Sequence, residues 1–87
     1  LTYKVTFTKH ALKQLKKLDR YTSRSIYEWI MKHLEGTDDP RRYGKCLTTN
    51  RSGEWYYLNG NCRVLANILD DKIVIEVFAV GHRRDIY

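Results

Sequence analysis

Two segments of this chain stand out for what they could do to a phosphate. Arg63 opens a run that, apart from Asn67, is apolar (Val64, Leu65, Ala66, Ile68 and Leu69), just after Asn59-Gly60-Asn61 and Cys62. A guanidinium at the lip of an apolar strand stays protonated and matches phosphate oxygens as a bidentate fork. Further on, His82-Arg83-Arg84-Asp85-Ile86-Tyr87 gathers two guanidiniums, an imidazole and a phenol. His82 titrates naturally near neutrality and is by chemistry the general acid or base of this set. Tyr87, with an ordinary pKa of about 10, becomes a base only if adjacent cations lower it. On composition alone such a tail reads as a solvated end.

A second group lies in Glu54-Trp55-Tyr56-Tyr57-Leu58. Strand alternation puts Glu54, Tyr56 and Leu58 on one face and Trp55 and Tyr57 on the other. If Trp55 and Tyr57 pack under the helices, Tyr56 faces an open side. Glu54 is a lesser candidate base, read first as an exposed strand residue. The same alternation sends His82 and Arg83 to opposite sides, which counts against both serving one site.

The elements that must hold these residues follow from hydrophobic period. Tyr3, Val5 and Phe7 alternate in Thr2–Phe7 as a half-buried strand does. Thr8 is placed to cap a helix carrying Ala11, Leu12, Leu15 and Leu18 at helical spacing, with Lys9, Lys13, Lys16 and Lys17 off that stripe. After a break around Asp19–Thr22, Ile26, Ile30 and Leu34 with Trp29 mark a second helix, and Gly36 its stop. The stretch 37–53 has neither period and reads as loop. Trp55–Leu58, Arg63–Leu69 and Ile73–Val80, separated by Asn59-Gly60-Asn61 and Asp70-Asp71, read as an antiparallel meander. One strand, a helical hairpin and three antiparallel strands predict a single α+β domain over residues 1–87, with the helices on one sheet face and the other face partly open.

Composition narrows the partners. Sixteen Lys+Arg against ten Asp+Glu give a net charge of +6, which points to a polyanion. The excess is in the helical part: residues 1–36 carry eight basic and three acidic groups, residues 37–87 eight and seven. At 87 residues there is room for one modest core and no second regulatory domain, so regulation is expected from another chain. Cys46 and Cys62 lack C-x-x-C spacing, the His and Cys residues are too scattered for a zinc site, and no run is long enough to span a bilayer. Together with the lack of a signal-peptide pattern, this predicts a reduced, cytoplasmic protein without a metal or other cofactor.

The order Asp39-Pro40-Arg41, Gly44-Lys45-x-Leu47, Gly53-x-Trp55-x-Tyr57-x-x-Gly60-x-x-Arg63-Val64, an acidic turn, then Val80-Gly81-His82-Arg83-x-x-Ile86-Tyr87 resembles the RelE/ParE superfamily of toxins from type II toxin–antitoxin pairs, RelE-type mRNA interferases above all. With the N-terminal strand and helical hairpin, the resemblance spans essentially the whole chain. It implies a compact α+β ribonuclease that enters the ribosomal A site, cleaves mRNA there, inhibits translation, and is silenced by a cognate antitoxin protein. The family's catalytic arginine after the central hairpin falls on Arg63, the arginine after Gly-His on Arg83, and the terminal tyrosine on Tyr87, with His82 beside them. Relatives carry basic residues at the positions of Tyr56 and Leu58, and losing both weakens phosphate binding.

Metal-free cleavage of this kind needs the 2′-OH to attack the phosphate, groups to move two protons, and fixed cations for the added negative charge. Arg63 and Arg83 suit the last role. Lys45 and Arg51 can grip neighbouring phosphates, Tyr56 can stack on a base, and Lys13, Lys16 and Lys17 can dock on ribosomal RNA or simply form a solvated helix face. Two other functions stay open: inhibition of DNA gyrase, as in the ParE branch, and non-catalytic binding of RNA or antitoxin.

Overall fold

The computed structural model describes residues 1–46 and 54–82. Strand β1 (Lys4–Phe7) leads to helices α1 (Lys9–Lys17) and α2 (Arg20–His33), followed by β2 (Gly44–Cys46), β3 (Glu54–Asn59), β4 (Cys62–Leu69) and β5 (Val74–His82). The five strands form one sheet in the order β1-β5-β4-β3-β2. Strands β2 to β5 pair antiparallel, and β1 lies parallel to β5, the helical hairpin forming the crossover that parallel neighbours require.

Local chemistry sets the helix ends. Thr8 caps α1 by accepting the Ala11 N–H, and Asp19 caps α2 by accepting the Thr22 N–H at 3.0 Å. The break between the helices is therefore only Leu18–Asp19, narrower than the expected Asp19–Thr22, because Asp19 starts the next helix rather than prolonging a loop. Beyond the cap at Leu34, Gly36 takes φ +80, and its N–H reaches the Tyr3 carbonyl at 2.8 Å.

Ala11, Leu15, Ile26, Ile30 and Leu34 from the helices pack with Tyr57, Cys62, Val64, Ala66, Ile75, Val77 and Val80 in one core. The β4 members are alternate residues, so one sheet face carries the helices, as expected from sequence. Burying each of the larger aliphatic side chains contributes about 1.5–3 kcal/mol.

Three details depart from the sequence reading. Gly44–Cys46, within the stretch read as loop, is a fifth strand, formed by pairing Lys45 with Tyr56 and Cys46 with Trp55; three residues are too few to show a period. Ile73 is not in the last strand but turns at φ 55, letting its carbonyl accept the Lys4 N–H. The β4–β5 register slips between Leu65 and Ala66, leaving Phe78 unpaired in a bulge.

At the end of the sheet where β4 turns into β5, Asp70 accepts two hydrogen bonds from Arg41, at 3.2 and 2.7 Å, and one from the Tyr3 hydroxyl at 2.6 Å. The Arg41 guanidinium also lies 5.6 Å from the centre of the Trp55 ring. Hydrogen bonds from Arg41 and then Tyr3 hold the Asp70 carboxyl below its ordinary range. A carboxyl lowered on folding adds stability above its unfolded pKa of about 4 and loses it as pH falls through the lower folded value. Asp70→Asn is thus expected to lower the melting temperature by a few degrees at neutral pH, the gap closing in acid below the ordinary carboxylate range. Thermal melts of both proteins from neutral pH down to acid check this, and a gap independent of pH would contradict it.

Candidate nucleic-acid interface

The hairpin joining β3 to β4 builds the site. Asn59 pairs with Cys62, leaving a two-residue turn in which Gly60 supplies φ +62, the positive angle tight hairpins demand. This turn length fixes the register: Leu58 opposes Arg63, Tyr56 opposes Leu65, and Glu54 opposes Asn67. Directly opposed residues share a face, and this one lies away from the helices. Lys45, paired with Tyr56 from β2, joins it.

Arg63 and Tyr56 meet diagonally on this open face, the guanidinium carbon 5.2 Å from the ring centre. Both side chains are half-buried, whereas Lys45 and Leu58 are exposed. Beside them on the same face Leu65 and Ala79, paired on β4 and β5, are buried. Two rows along the sheet, Glu54 opposes Asn67, which opposes Glu76, so on β3, β4 and β5 the open face is cationic toward the hairpin and carries an acidic row away from it, with Lys4 of β1 beyond that row at the sheet edge. Sequence alternation puts Tyr56 on this face but not beneath Arg63. The signal that could have found the pairing is the two-residue turn, which sets the diagonal.

His82 is not brought to Arg63. It pairs with buried Cys62, while Arg63 pairs with Gly81, so His82 is on the helix side of the sheet. There it separates two clefts, one shared with Gln14, Lys17 and Asp19, the other with Tyr21, Thr22, Ser25 and Asn59. The Asp19 carboxyl sits below its ordinary range chiefly through its hydrogen bonds with Thr22, with a smaller contribution from His82. The bulge at Phe78 causes the placement. Without it, the alternation that puts Ile75 and Val77 on the helix side would send position 82 to the open side. The Gln14 side chain fixes this end of β5 by accepting the Val80 N–H at 2.9 Å.

Lys13, Lys16 and Lys17 are exposed on α1, on the helix layer and away from the open face. They and the Arg63 site are separate surfaces. Arg51, Arg83 and Tyr87 lie outside the described residues. Cys46 is exposed, Cys62 is buried, and they form no disulfide. Among the described residues no helix is long and apolar enough to cross a membrane.

The fold is shared with known toxins. A family model described as the ParE toxin of type II toxin–antitoxin systems matches residues 5–87, and the chain belongs to that family. It is a RelE-like toxin of a type II toxin–antitoxin system. Toxin RelG of Mycobacterium tuberculosis is 31% identical over 87 residues, covering 100% of this chain and 98% of that protein. The structure of the RelBE2 toxin–antitoxin complex from the same organism superposes with a TM-score of 0.83 at 29% identity, over 98% of this chain and 95% of the matched chain. The isolated RelE toxin of E. coli shares the fold, with a TM-score of 0.73 at 22% identity over 92% of this chain and 83% of that one.

Proposed function

We propose that this toxin is a ribosome-dependent endoribonuclease that cleaves mRNA without a metal ion. The 2′-oxygen attacks the adjacent phosphorus and the bond to the 5′-oxygen breaks, leaving a 2′,3′-cyclic phosphate and a 5′-hydroxyl. The observation that carries this reading is Arg63 on the open face, with Tyr56 under its guanidinium and exposed Lys45 across the ladder from Tyr56. Arg63 and Arg83 hold the charge that builds on the phosphate, and Tyr87 orients the 2′-OH or relays its proton. Lys45 and Arg51 grip neighbouring phosphates, and Lys13, Lys16 and Lys17 dock on ribosomal RNA from the helix side.

His82, on the far side of the sheet from Arg63, takes a structural part in this scheme. A general acid or base is worth about 100- to 10,000-fold in rate. His82→Gln is expected to stay within a few-fold of the parent and to keep the shape of its pH–rate profile. Losing a limb of that profile near neutrality would return His82 to the chemistry.

A cognate antitoxin is its regulator, as the similarity to a chain of the RelBE2 toxin–antitoxin complex supports. Gyrase inhibition is the second reading. Leu58, 43% exposed at a position where the resemblance implies a basic residue, and the ParE description of the matching family both favour it. Mapping 5′ ends on mRNA in a reconstituted translation reaction, beside an Arg83→Ala variant and a supercoiling assay, separates the two. New ends inside the A-site codon, absent with the variant, support the nuclease. Intact mRNA with inhibited supercoiling supports the alternative, and binding of RNA or antitoxin with neither effect leaves a non-catalytic module.

A further inference from the structure

We propose that Tyr56 and Arg63 form a stacking platform for an unpaired nucleobase, so that the open face holds its RNA by a base as well as by phosphate; this rests on the nuclease reading above. Three observations carry it. The Arg63 guanidinium lies over the Tyr56 ring, 5.2 Å from its centre, an arrangement that fixes the direction of an otherwise flexible side chain. Beside the pair on the same face, Leu58 is exposed opposite Arg63, and Leu65 and Ala79 are buried apolar neighbours. Aromatic rings and guanidinium planes beside small apolar ground are what unpaired bases stack on.

The third observation is the charge. Among the described residues, the open face of β2, β3 and β4 carries two cations, Lys45 and Arg63, against Glu54, with Glu76 on β5 closing the acidic row. The step from the Tyr56 row to the Glu54 row is two strand residues, roughly 7 Å. A phosphodiester backbone cannot run down the sheet without meeting that row. Its phosphates stay at the Arg63 end, and a base turned inward meets the Tyr56–Arg63 pair. Neutral side chains at positions 56 and 58 then exchange ion pairing for stacking, which selects single-stranded RNA whose bases can be splayed out.

The test uses the full chain on a translation complex whose A-site codon carries 2-aminopurine beside a 2′-methoxy nucleotide, so that the base reports stacking while cleavage is blocked. Quenching is expected with the parent and with Tyr56→Phe. With Tyr56→Ala it is expected to fall, and binding to weaken about ten-fold or more, since stacking on one aromatic contributes that much in single-strand binders. Tyr56→Ala should leave the salt dependence unchanged, whereas Tyr56→Lys should steepen its logarithmic slope by about 0.7, the increment for one added phosphate contact on a single strand. Undiminished quenching with Tyr56→Ala overturns the platform, as does no quenching with the parent. Cleavage of an unmodified codon, run in parallel, reports on the nuclease separately: quenching without cleavage keeps the platform and removes the nuclease reading.

Discussion

Arg63→Ala should slow mRNA cleavage about 100- to 1,000-fold, the usual cost of removing one preorganised donor from the developing charge. The reason is position as much as charge. The guanidinium sits at the hairpin end of β4, held over Tyr56 rather than left to sample rotamers, so little reorganisation is needed as the phosphate gains charge. Arg63→Lys keeps the charge but loses the planar fork and its stacking, and should recover only a minor part of the rate. Both variants should fold, with melting temperatures lower by a few degrees at most, because a half-exposed cation over a ring contributes about 0.5–1 kcal/mol. Single-turnover cleavage on programmed ribosomes, with a thermal melt as control, checks this. An Arg63→Ala protein that melts like the parent and cleaves within ten-fold of it would remove Arg63 from the chemistry.

The second large effect concerns stability. A Cβ at Gly44 would lie 2.6 Å from Cε1 and 2.8 Å from Cδ1 of Tyr57, and 2.9 Å from the Tyr56 carbonyl oxygen. None of these can easily move. The Tyr57 ring is buried, packs 5.9 Å from Trp29, and donates its hydroxyl to the Pro40 carbonyl at 2.6 Å. Burial also pushes the Tyr57 phenol well above its ordinary pKa, so that hydrogen bond persists across the working pH range. Gly44→Ala should therefore cost at least the usual 1–3 kcal/mol or so of an overpacked core. For a domain this size each kcal/mol lowers the melting temperature by roughly 4–8 °C. A melt within a degree or two of the parent would mean that β2 shifts away without loss.

The motif residues divide in physical terms. Gly44 is glycine because Tyr57 lies against it, Pro40 offers a carbonyl to that same tyrosine, Arg41 holds the acidic turn through Asp70, and Gly60 makes the hairpin. All four positions were legible from sequence as a pattern and Gly60 also as a turn, but the contacts of the other three were not, because each partner lies many residues away. Helices and meander were legible because their periods run over several residues. The three-residue β2 was not, since only pairing with β3 makes it a strand. The bulge at Phe78 shows no sequence signal, yet it decides on which side His82 falls. Alternation alone does not say on which side of the sheet His82 falls; that depends on one unpaired residue.

The most direct measurement replaces one nucleotide of the A-site codon by its 2′-deoxy form and reads both cleavage and the chemistry of the ends. With the all-ribose codon, the toxin should produce fragments with a 5′-hydroxyl and a 2′,3′-cyclic phosphate. The single deoxy substitution at the attacking position should abolish them. Cleavage that persists on the deoxy codon, 5′-phosphate ends, or an all-ribose codon left intact would contradict a nuclease that works by 2′-OH attack at Arg63.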